Sequence, residues 1–251
     1  MSGWLDLSYR WLCRHLAPGV RNSQYAFADL LESELAARPD WLDLGCGRRP
    51  FPKWMEKYQV RCLSRARRIV GIDPDIDSLR HHHSYPDKAL ASGYAIPLRS
   101  QSFDLASANM VLEHVDRPQD LLREVHRVLR PGGRFVFNTP NHRHWAVRVA
   151  KRTPDGIKHP IIWILEKRLP QDVFPTFYYL NSIESIREEA HRAGFRVVSL
   201  GYTNSNPVTA ALGPLSVFEL LWLRRLRKEK YANQRSNILG VLEAIDPPPS
   251  V

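Results

Sequence analysis

The residues with the clearest chemical purpose stand at the ends of two apolar runs. Trp41–Leu44 ends in Gly45-Cys46-Gly47, and Arg68–Asp73 ends in an acid. Glycines let a backbone turn approach a ligand without a Cβ clash, and a helix that starts after such a turn favours an anionic group. An acid at the tip of the second strand can accept hydrogen bonds from two ribose hydroxyls. A glycine turn after the first run, followed by an acid at the end of the second, predicts a site for a nucleoside cofactor.

The glycine turn differs from two other nucleotide-binding turns. Arg48-Arg49-Pro50 follows it, so the third glycine of a dinucleotide fingerprint is absent, and the chain contains no P-loop pattern. Five motifs stand in order instead: LDLGCG at 42–47, VGID at 70–73, IPL at 96–98 with SFD at 102–104, VLEHV at 111–115 and LRPGG at 129–133. Together they resemble the class I S-adenosylmethionine-dependent methyltransferases, most closely the ubiquinone-biosynthesis-type (type 11) branch that acts on small molecules.

The resemblance implies S-adenosylmethionine as cofactor, with S-adenosylhomocysteine as product, and it implies a set of contacts. Asp43, Gly45, Cys46 and Gly47 would line the methionine part of the cofactor, and Asn109 and Met110 would meet it through backbone groups. Asp73 would bind the ribose diol, and Pro74 would border the adenine. The family commonly has an acid for the adenine amino group after the third strand. This chain has Ser92 there, before Gly93 and Tyr94, so we expect a hydrogen bond from Ser92 or packing by Tyr94.

The elements that must position these residues alternate along the chain. Apolar runs predict strands at 41–44, 68–73, 102–109, 133–139, 195–202 and 237–244. Helical spacing predicts helices at 23–37, 118–129 (with Asp116 as cap) and 181–193. Alternating strands and helices predict an α/β fold with a doubly wound, mostly parallel sheet. The resemblance adds seven strands, a Rossmann-like methyltransferase topology and an antiparallel last strand.

Two segments are too long for ordinary connections. We expect a single methyltransferase domain over residues 1–251, with insertions at 141–181 and 204–236. Ligands bind outside the carboxyl ends of strands in such sheets, and with an antiparallel last strand both insertions leave from that edge. They are therefore predicted to form a substrate cap that defines the acceptor. The first is rich in aromatic residues, which favour an apolar or sugar-stacking wall.

The expected chemistry needs few groups, because the sulfonium already carries an activated methyl group and the protein mainly has to position it. An alcohol acceptor needs a base, and the candidates are His114, His142 and His144. The alternative is a structural role for His114 and ordinary loop polarity for the other two. The run His81-His82-His83 predicts a solvated face, since no acid or Cys cluster completes a metal shell. We expect no metal to be needed.

Composition bears on the partners. Lys and Arg number 36 against 26 for Asp and Glu, a net charge of +10. The basic residues concentrate in Arg61–Arg68 and Arg224–Lys230, which fit either an anionic partner or a solvated face. The leading hypothesis is a small-molecule acceptor, such as a lipid-linked or saccharide hydroxyl. One alternative is an RNA or protein methyltransferase that uses the basic surface, although 109–112 does not carry the N-P-P-[YF] tetrad of many nucleic-acid amino methyltransferases. The other is a non-catalytic cofactor-binding scaffold.

Location follows from what the sequence lacks. Three scattered cysteines suit a reducing compartment, and neither a secretory signal nor an apolar run of membrane-spanning length is visible, so we expect a cytoplasmic protein. In 213–230, a stripe of Leu215, Phe218, Leu221 and Trp222 precedes the second basic cluster. It predicts either an interfacial helix on an anionic membrane or a lid helix that buries the stripe. The oligomeric state stays open.

Overall fold

The computed structural model describes residues 12, 13, 15–152, 174–204 and 216–245. Its sheet has seven strands: β1 (Asp40–Leu44), β2 (Arg68–Asp73), β3 (Lys88–Leu90), β4 (Phe103–Asn109), β5 (Leu129–Pro140), β6 (Phe195–Thr203) and β7 (Asn237–Ala244). The strand order is β3-β2-β1-β4-β5-β7-β6. β1 pairs in parallel with β2 and β4, β2 with β3, and β4 with β5, whereas the last strand is antiparallel. The predicted fold class is confirmed.

Seven α-helices lie wholly within the described ranges and accompany the strands. They are α1 (Ser23–Glu34), α2 (Glu56–Arg65), α3 (Ile76–Arg80), α4 (Pro118–Val128), α5 (Trp145–Arg152), α6 (Ile183–Arg192) and α7 (Ser216–Leu226). Short 3₁₀ helices lie at Leu35–Ala37, Lys53–Met55, Leu112–His114 and Glu229–Gln234. All five residues of β1 are buried, as expected for a central parallel strand covered on both faces. Its Trp41 packs in a core cluster with Phe27, Leu31 and Leu35.

The residues that precede two of the helices show where the caps lie. The α6 helix begins at Ile183, and its cap is Ser182, whose Oγ accepts a hydrogen bond from the Ser185 amide at 3.0 Å. The cap predicted for α4 is wrong. Arg117 stands at that position without a side-chain bond, and Asp116 is one residue too early. Its Oδ1 instead accepts a hydrogen bond from the Tyr94 hydroxyl at 2.6 Å.

The Pro131-Gly132-Gly133 turn lies inside a strand rather than before one. Leu129 already pairs with Phe103 of β4, and the pairing resumes at Arg134 with Leu105. Gly132 has φ +79°, a left-handed conformation that glycine adopts without strain. The turn residues thus form an irregularity in β5, and the strand starts four residues earlier than the sequence pattern indicates.

The described residues fall into two compact units. Unit 2 comprises those within 24–139, 176–201 and 238–251, and it carries most of the sheet. Unit 1 comprises those within 1–23, 140–175 and 202–237. The two predicted insertions thus contribute most of unit 1, and the N-terminal segment joins them there. That unit 1 caps a substrate stays a prediction.

The core of unit 1 forms around α7. Leu220, Leu223 and Leu226 are buried together with Ala17 of the N-terminal segment. The lid alternative expected the stripe to be buried. Trp222 is partly buried against this cluster, but Phe218 is 74% exposed and Leu221 45% exposed, so the expectation is wrong for these two residues. Leu215 lies outside the described residues. None of the helices in the described ranges combines the length and apolarity needed to cross a bilayer.

Candidate active site

The carboxylate of Asp43, at the end of β1, organises the carboxyl edge of unit 2. Its Oδ1 accepts a hydrogen bond from the Ser107 hydroxyl of β4 at 2.8 Å, and its Oδ2 accepts one from the Tyr85 hydroxyl at 2.9 Å. The Trp41 Nε1 in turn donates to Ser107 Oγ at 2.8 Å. Burial raises the pKa of Asp43 to about 6, although the bonds from Ser107 and Tyr85 oppose the increase. Asp43 is therefore mostly ionised at neutral pH.

The glycine turn that follows requires glycine twice, for different reasons. Gly45 has φ +61°, and a Cβ there would lie 2.5 Å from Val111 Cγ2. Gly47 has φ +53°, and a Cβ there would meet no heavy atom within 4 Å. Open space therefore lies directly against the backbone at Gly47. Between them, the Cys46 side chain packs with Leu79 and Tyr85, and burial raises the pKa of its thiol to about 12, which makes it a filler rather than a nucleophile.

Asp73 ends β2 beside this turn. Its Oδ2 accepts a hydrogen bond from the Gly47 amide and its Oδ1 one from the Asp75 amide, both at 2.8 Å. Burial raises the pKa of Asp73, and the two amide bonds oppose that effect. Each oxygen keeps a lone pair for a further donor, which is what recognition of a diol requires. Pro74 follows and is exposed.

His82, which the sequence did not identify as a site residue, supports the glycine turn. The α3 helix ends at Arg80, and in the following run His81 and His83 are exposed, whereas His82 is fully buried. The solvated-face prediction is therefore wrong for His82. Its Nδ1 lies 2.9 Å from the Gly47 carbonyl, and its ring packs on Tyr85 with centroids 4.3 Å apart. A carbonyl only accepts, so Nδ1 carries the proton. Burial lowers the pKa of His82 and favours this neutral form.

The predicted adenine-side residues form a small hydrogen-bonded group. Ser92 is exposed, and its Oγ accepts a hydrogen bond from the Tyr94 amide at 3.2 Å. The Tyr94 hydroxyl donates to Asp116, and the Arg117 guanidinium lies 4.2 Å from the centroid of the Tyr94 ring. Gly93 packs so closely on α4 that a Cβ would lie 2.6 Å from Leu121 Cδ1. Adenine packing on Tyr94 would thus use the face opposite Arg117, and it stays a prediction.

The end of β4 is fixed by amide side chains. Gln24 and Asn109 exchange two hydrogen bonds of 3.1 and 2.7 Å, and Asn138 Nδ2 donates to Asn109 Oδ1 at 3.0 Å. Met110 has φ +59°, and its amide donates to the Asn138 carbonyl at 2.8 Å. The Asn109 side chain is thus occupied by protein groups. The predicted contact of its backbone with the cofactor stays a prediction.

Glu113 and His114 follow on the 3₁₀ helix Leu112–His114. Glu113 is buried, and its Oε2 accepts a hydrogen bond from the Thr139 hydroxyl at 3.2 Å. The Asn181 Nδ2 donates to Thr139 Oγ1 at 2.8 Å. The Nε2 of His114 lies 3.9 Å from Glu113 Oε1, and the His114 side chain is 32% exposed. The arrangement places a buried carboxyl group beside a partly exposed imidazole.

An aromatic segment is hydrogen-bonded to the backbone of Glu113. The Phe177 and Tyr178 amides donate to the Glu113 carbonyl at 2.8 and 3.2 Å. The rings of Phe177 and Tyr179 stack with centroids 6.1 Å apart, and they are 40% and 54% exposed. Phe177, Tyr178 and Tyr179, which belong to the first insertion, therefore lie beside Glu113 in unit 2. Trp163 of the same insertion lies outside the described residues.

The other two predicted bases belong to unit 1. His144 is only 4% exposed, and burial lowers its pKa to about 4, with Glu219 opposing the shift. His142 is partly exposed. The structure thus places His142 and His144 together in one unit and His114 in the other. Across the described ranges, no group of three or more His, Cys, Asp or Glu side chains is arranged to hold a metal ion.

Comparison with known proteins identifies the family. Residues 20–200 match the family described as "Methyltransferase domain". The chain belongs to this family. It is 32% identical over 133 residues to a "Probable S-adenosylmethionine-dependent methyltransferase" of Mycolicibacterium smegmatis, a match that covers 49% of each protein. It is 33% identical over 81 residues to a ubiquinone/menaquinone biosynthesis C-methyltransferase of Rubrivivax gelatinosus, covering 30% of this chain and 32% of that protein.

A solved structure agrees with the fold. A putative S-adenosylmethionine-dependent methyltransferase from Listeria monocytogenes superposes with a TM-score of 0.55 at 15% identity, covering 89% of this chain and 97% of that one. The chain spans at most about half the length of the two curated relatives above. The predicted family resemblance and the Rossmann-like methyltransferase fold are confirmed.

S-adenosylmethionine is the cofactor that family membership assigns, and the residues fit it. The Asp73 oxygens have capacity for the two ribose hydroxyls, next to the open space at Gly47. Asp43 is ionised at neutral pH, as a partner for the cofactor's ammonium group should be. The individual contacts of the predicted cofactor-binding residues stay predictions.

Replacing Asp73 by Asn should weaken cofactor binding, because it removes charge-assisted hydrogen bonds worth about 1.5–3 kcal/mol each. We expect the dissociation constant for S-adenosylhomocysteine, measured by calorimetry, to rise by roughly 10- to 100-fold. Asp77→Asn is the matched control, since Asp77 is an exposed acid near the same strand end that pairs with Arg48. An unchanged affinity in Asp73→Asn would contradict the ribose assignment.

Replacing His82 by Ala should also weaken cofactor binding, although His82 makes no predicted cofactor contact. The change frees the Gly47 carbonyl and loosens the turn, so we expect a loss of about tenfold in affinity, equivalent to about one hydrogen bond. His81→Ala and His83→Ala provide neighbouring controls with exposed side chains. Equal losses in all three variants would show that the buried position has no special role.

Proposed function

We propose that the chain transfers the methyl group of S-adenosylmethionine to a hydroxyl of a small molecule with a large apolar part. His114 is the general base in this proposal. The observation that carries it is the joint position of the Glu113–His114 pair and the stacked Phe177–Tyr179 rings at one point of unit 2. The chain thus offers a proton acceptor and an exposed apolar surface side by side.

The sheet supports the location of this pair relative to the cofactor residues. β1, β2 and β4 are parallel, so Asp43, Asp73 and Asn109 stand at one edge. His114 follows β4 by five residues and lies beyond the same edge. When bound, the cofactor supplies an electrophilic methyl on a sulfonium sulfur. The protein's task is to align the acceptor oxygen with that methyl and to remove the oxygen's proton.

Glu113 supports His114 as the base. When the imidazole takes a proton, the carboxylate 3.9 Å away stabilises the resulting cation. Thr139 and Asn181 hold Glu113 in place, so the carboxylate needs little reorganisation. His144 is the weaker candidate, because its low pKa makes it a poor proton acceptor and its burial hinders contact with an acceptor.

The charge distribution favours a small acceptor over RNA. In the first basic cluster, Arg61 and Arg65 both pair with Glu32, Arg67 pairs with Asp40 and Arg68 with Asp87. These arginines are therefore largely compensated, and they offer little net charge to a phosphate backbone. The Rubrivivax relative is named for the biosynthesis of ubiquinone and menaquinone, which supports an apolar acceptor.

His114→Ala should lower kcat by roughly 100-fold, the usual contribution of a general base, and leave S-adenosylhomocysteine affinity unchanged. The assay is transfer of labelled methyl to a panel of isoprenoid phenols, long-chain alcohols and glycolipids. Glu113→Gln should lower kcat less and shift its pH profile, because it removes the charge that stabilises protonated His114.

The same assay separates the alternatives. A larger loss of kcat in His144→Ala than in His114→Ala would show that the base is His144 of unit 1. Transfer to RNA or to a protein substrate, with none to the small-molecule panel, would overturn the acceptor class. Addition of a metal chelator should leave turnover unchanged, and a loss that magnesium restores would show that a metal takes part.

A second surface supports an acceptor held in an anionic membrane. We define the outer face of α7 as Phe218, Leu221, Arg224 and Arg225. The two apolar side chains are exposed, and no described carboxylate pairs with either arginine. Apolar side chains next to cations are what an interfacial helix requires, and each basic residue adds about 1 kcal/mol near an anionic bilayer.

Vesicle sedimentation tests the outer face of α7. We expect the protein to bind phosphatidylglycerol vesicles at low salt and to release them at high salt. The double variant Phe218→Ser, Leu221→Ser should lose roughly tenfold or more in partitioning, because it removes about 2 kcal/mol or more of apolar transfer free energy. Val60→Ser is the control, since Val60 is 59% exposed beside the compensated arginines. Binding that is equal in wild type and the double variant would exclude this surface.

A further inference from the structure

The side chain of Tyr85 connects the buried carboxylate of Asp43 to the glycine turn. Its hydroxyl donates to Asp43 Oδ2 at 2.9 Å, and its ring packs on the His82 ring, which bonds to the Gly47 carbonyl. Tyr85 is buried. It belongs to the segment between α3 and β3 and to none of the five sequence motifs. Its contacts nevertheless support both the acid and the turn.

The β2 strand leaves room for the Tyr85 hydroxyl at Gly71, which pairs with Asp43 across the two parallel strands. A Cβ at Gly71 would lie 2.6 Å from the Tyr85 hydroxyl oxygen and 2.8 Å from Cys46 Sγ. The backbone of Gly71 is not left-handed, so what this position requires is the lack of a side chain. The strand therefore provides a specific place for a tyrosine hydroxyl against the Asp43 carboxylate.

Titratable groups surround this carboxylate and its partner on the turn, on β2 and in the segment after α3. They are Cys46, Asp73, His82 and Tyr85. Burial raises the pKa of the Cys46 thiol and of the Tyr85 hydroxyl, so both keep their protons at neutral pH. Burial lowers the pKa of His82, so its ring is neutral. The negative charge of Asp73 disfavours a second charge at Asp43, and the hydrogen bonds from Tyr85 and Ser107 oppose both burial and Asp73.

We propose that Tyr85 is a positioning residue for cofactor binding, because its hydroxyl keeps the Asp43 carboxylate oriented and charged for the cofactor's ammonium group. In a site of low dielectric constant a negative charge attracts a cation over several ångströms, so the proposal needs the charge of Asp43 and no direct contact. Binding of the ammonium group and ionisation of Asp43 then favour each other by linkage. The proposal concerns the cofactor alone and does not depend on the proposed acceptor or base.

The proposal gives cofactor binding a pH dependence of definite sign. Burial raises the pKa of Asp43 to about 6, so its negative charge is present above that pH and is lost as the pH falls through it. Removing the Tyr85 hydroxyl takes away a hydrogen bond that favours the charged form, so the loss must occur at a higher pH. One hydrogen bond to a charged group corresponds to a shift of about one pH unit.

Calorimetry over a range of about pH 5–8 tests this with two ligands. S-adenosylhomocysteine carries the ammonium group, whereas methylthioadenosine keeps the ribose and adenine but lacks the amino-acid part. We expect the wild-type affinity for S-adenosylhomocysteine to fall below about pH 6. In Tyr85→Phe the fall should begin about one pH unit higher, so that affinity drops severalfold at neutral pH and recovers at higher pH. The affinity for methylthioadenosine should be the same in both proteins at each pH, because its pH dependence reports Asp73 alone.

Tyr58→Phe is the matched control, since it removes a hydroxyl from a partly buried tyrosine of α2 that packs against the core cluster of Trp41. It should change neither affinity. Ser107→Ala removes the other donor to Asp43 and should shift the S-adenosylhomocysteine profile in the same direction as Tyr85→Phe. A loss in Tyr85→Phe that is equal at every pH would show a structural role alone and overturn the proposal. An unchanged profile, or an equal shift with methylthioadenosine, would also overturn it.

A second measurement uses the wild-type protein alone. At about pH 6 part of the Asp43 population is protonated, so binding of the ammonium group should release protons. Calorimetry in two buffers of different ionisation enthalpy counts these protons. We expect S-adenosylhomocysteine to release more protons than methylthioadenosine. Equal release would overturn the proposal even if a variant fails to fold, and it would leave the proposed acceptor and base unaffected.

Discussion

The buried carboxylate of Asp43 is the constraint on which the carboxyl edge of unit 2 depends. A carboxylate that is 4% exposed costs free energy unless its oxygens accept hydrogen bonds. Ser107 and Tyr85 supply them, one from β4 and the other from the segment after α3. Satisfying one acid therefore fixes three stretches of the chain around the glycine turn. The pKa of about 6 records that burial outweighs the two hydrogen bonds.

The turn itself is held through both polar groups of Gly47. Its amide donates to Asp73 and its carbonyl accepts from His82, so neither is left unsatisfied beside the buried core. His82 rests on Tyr85, which also donates to Asp43. Tyr85 thus connects the Asp43 carboxylate to the His82 ring, and His82 and Asp73 both bond to Gly47. A turn that is ordered in this way loses little conformational entropy when a ligand binds.

The sequence predicts what local pattern determines and misses what distant residues decide. The bounds of β2 and β7 agree with the predicted strands. β2 stands between the polar Arg67 and the turn-forming Pro74, and β7 begins after the polar Ser236. β3 has only three residues, and the resemblance alone implied it. The residue type does not distinguish His82 from its two histidine neighbours. Its burial depends on Gly47, which is distant in the sequence, and on Tyr85, which follows it in the chain. In α7, residues 217–223 are nearly all apolar, so periodicity does not identify the buried face.

The same limit applies to charge. Composition gives a net charge of +10, but the structure shows that acids elsewhere in the chain, Glu32, Asp40 and Asp87, compensate the first basic cluster. The second cluster begins in the last turn of α7 with Arg224 and Arg225, where the helix dipole also favours cations. The dipole accounts for the cations but not for the exposed apolar residues beside them. Val60 on α2 is exposed as well, yet its neighbours Arg61 and Arg65 share Glu32. An exposed apolar stripe next to uncompensated cations is therefore what distinguishes α7 from α2, and it is the feature that a lipid surface would recognise.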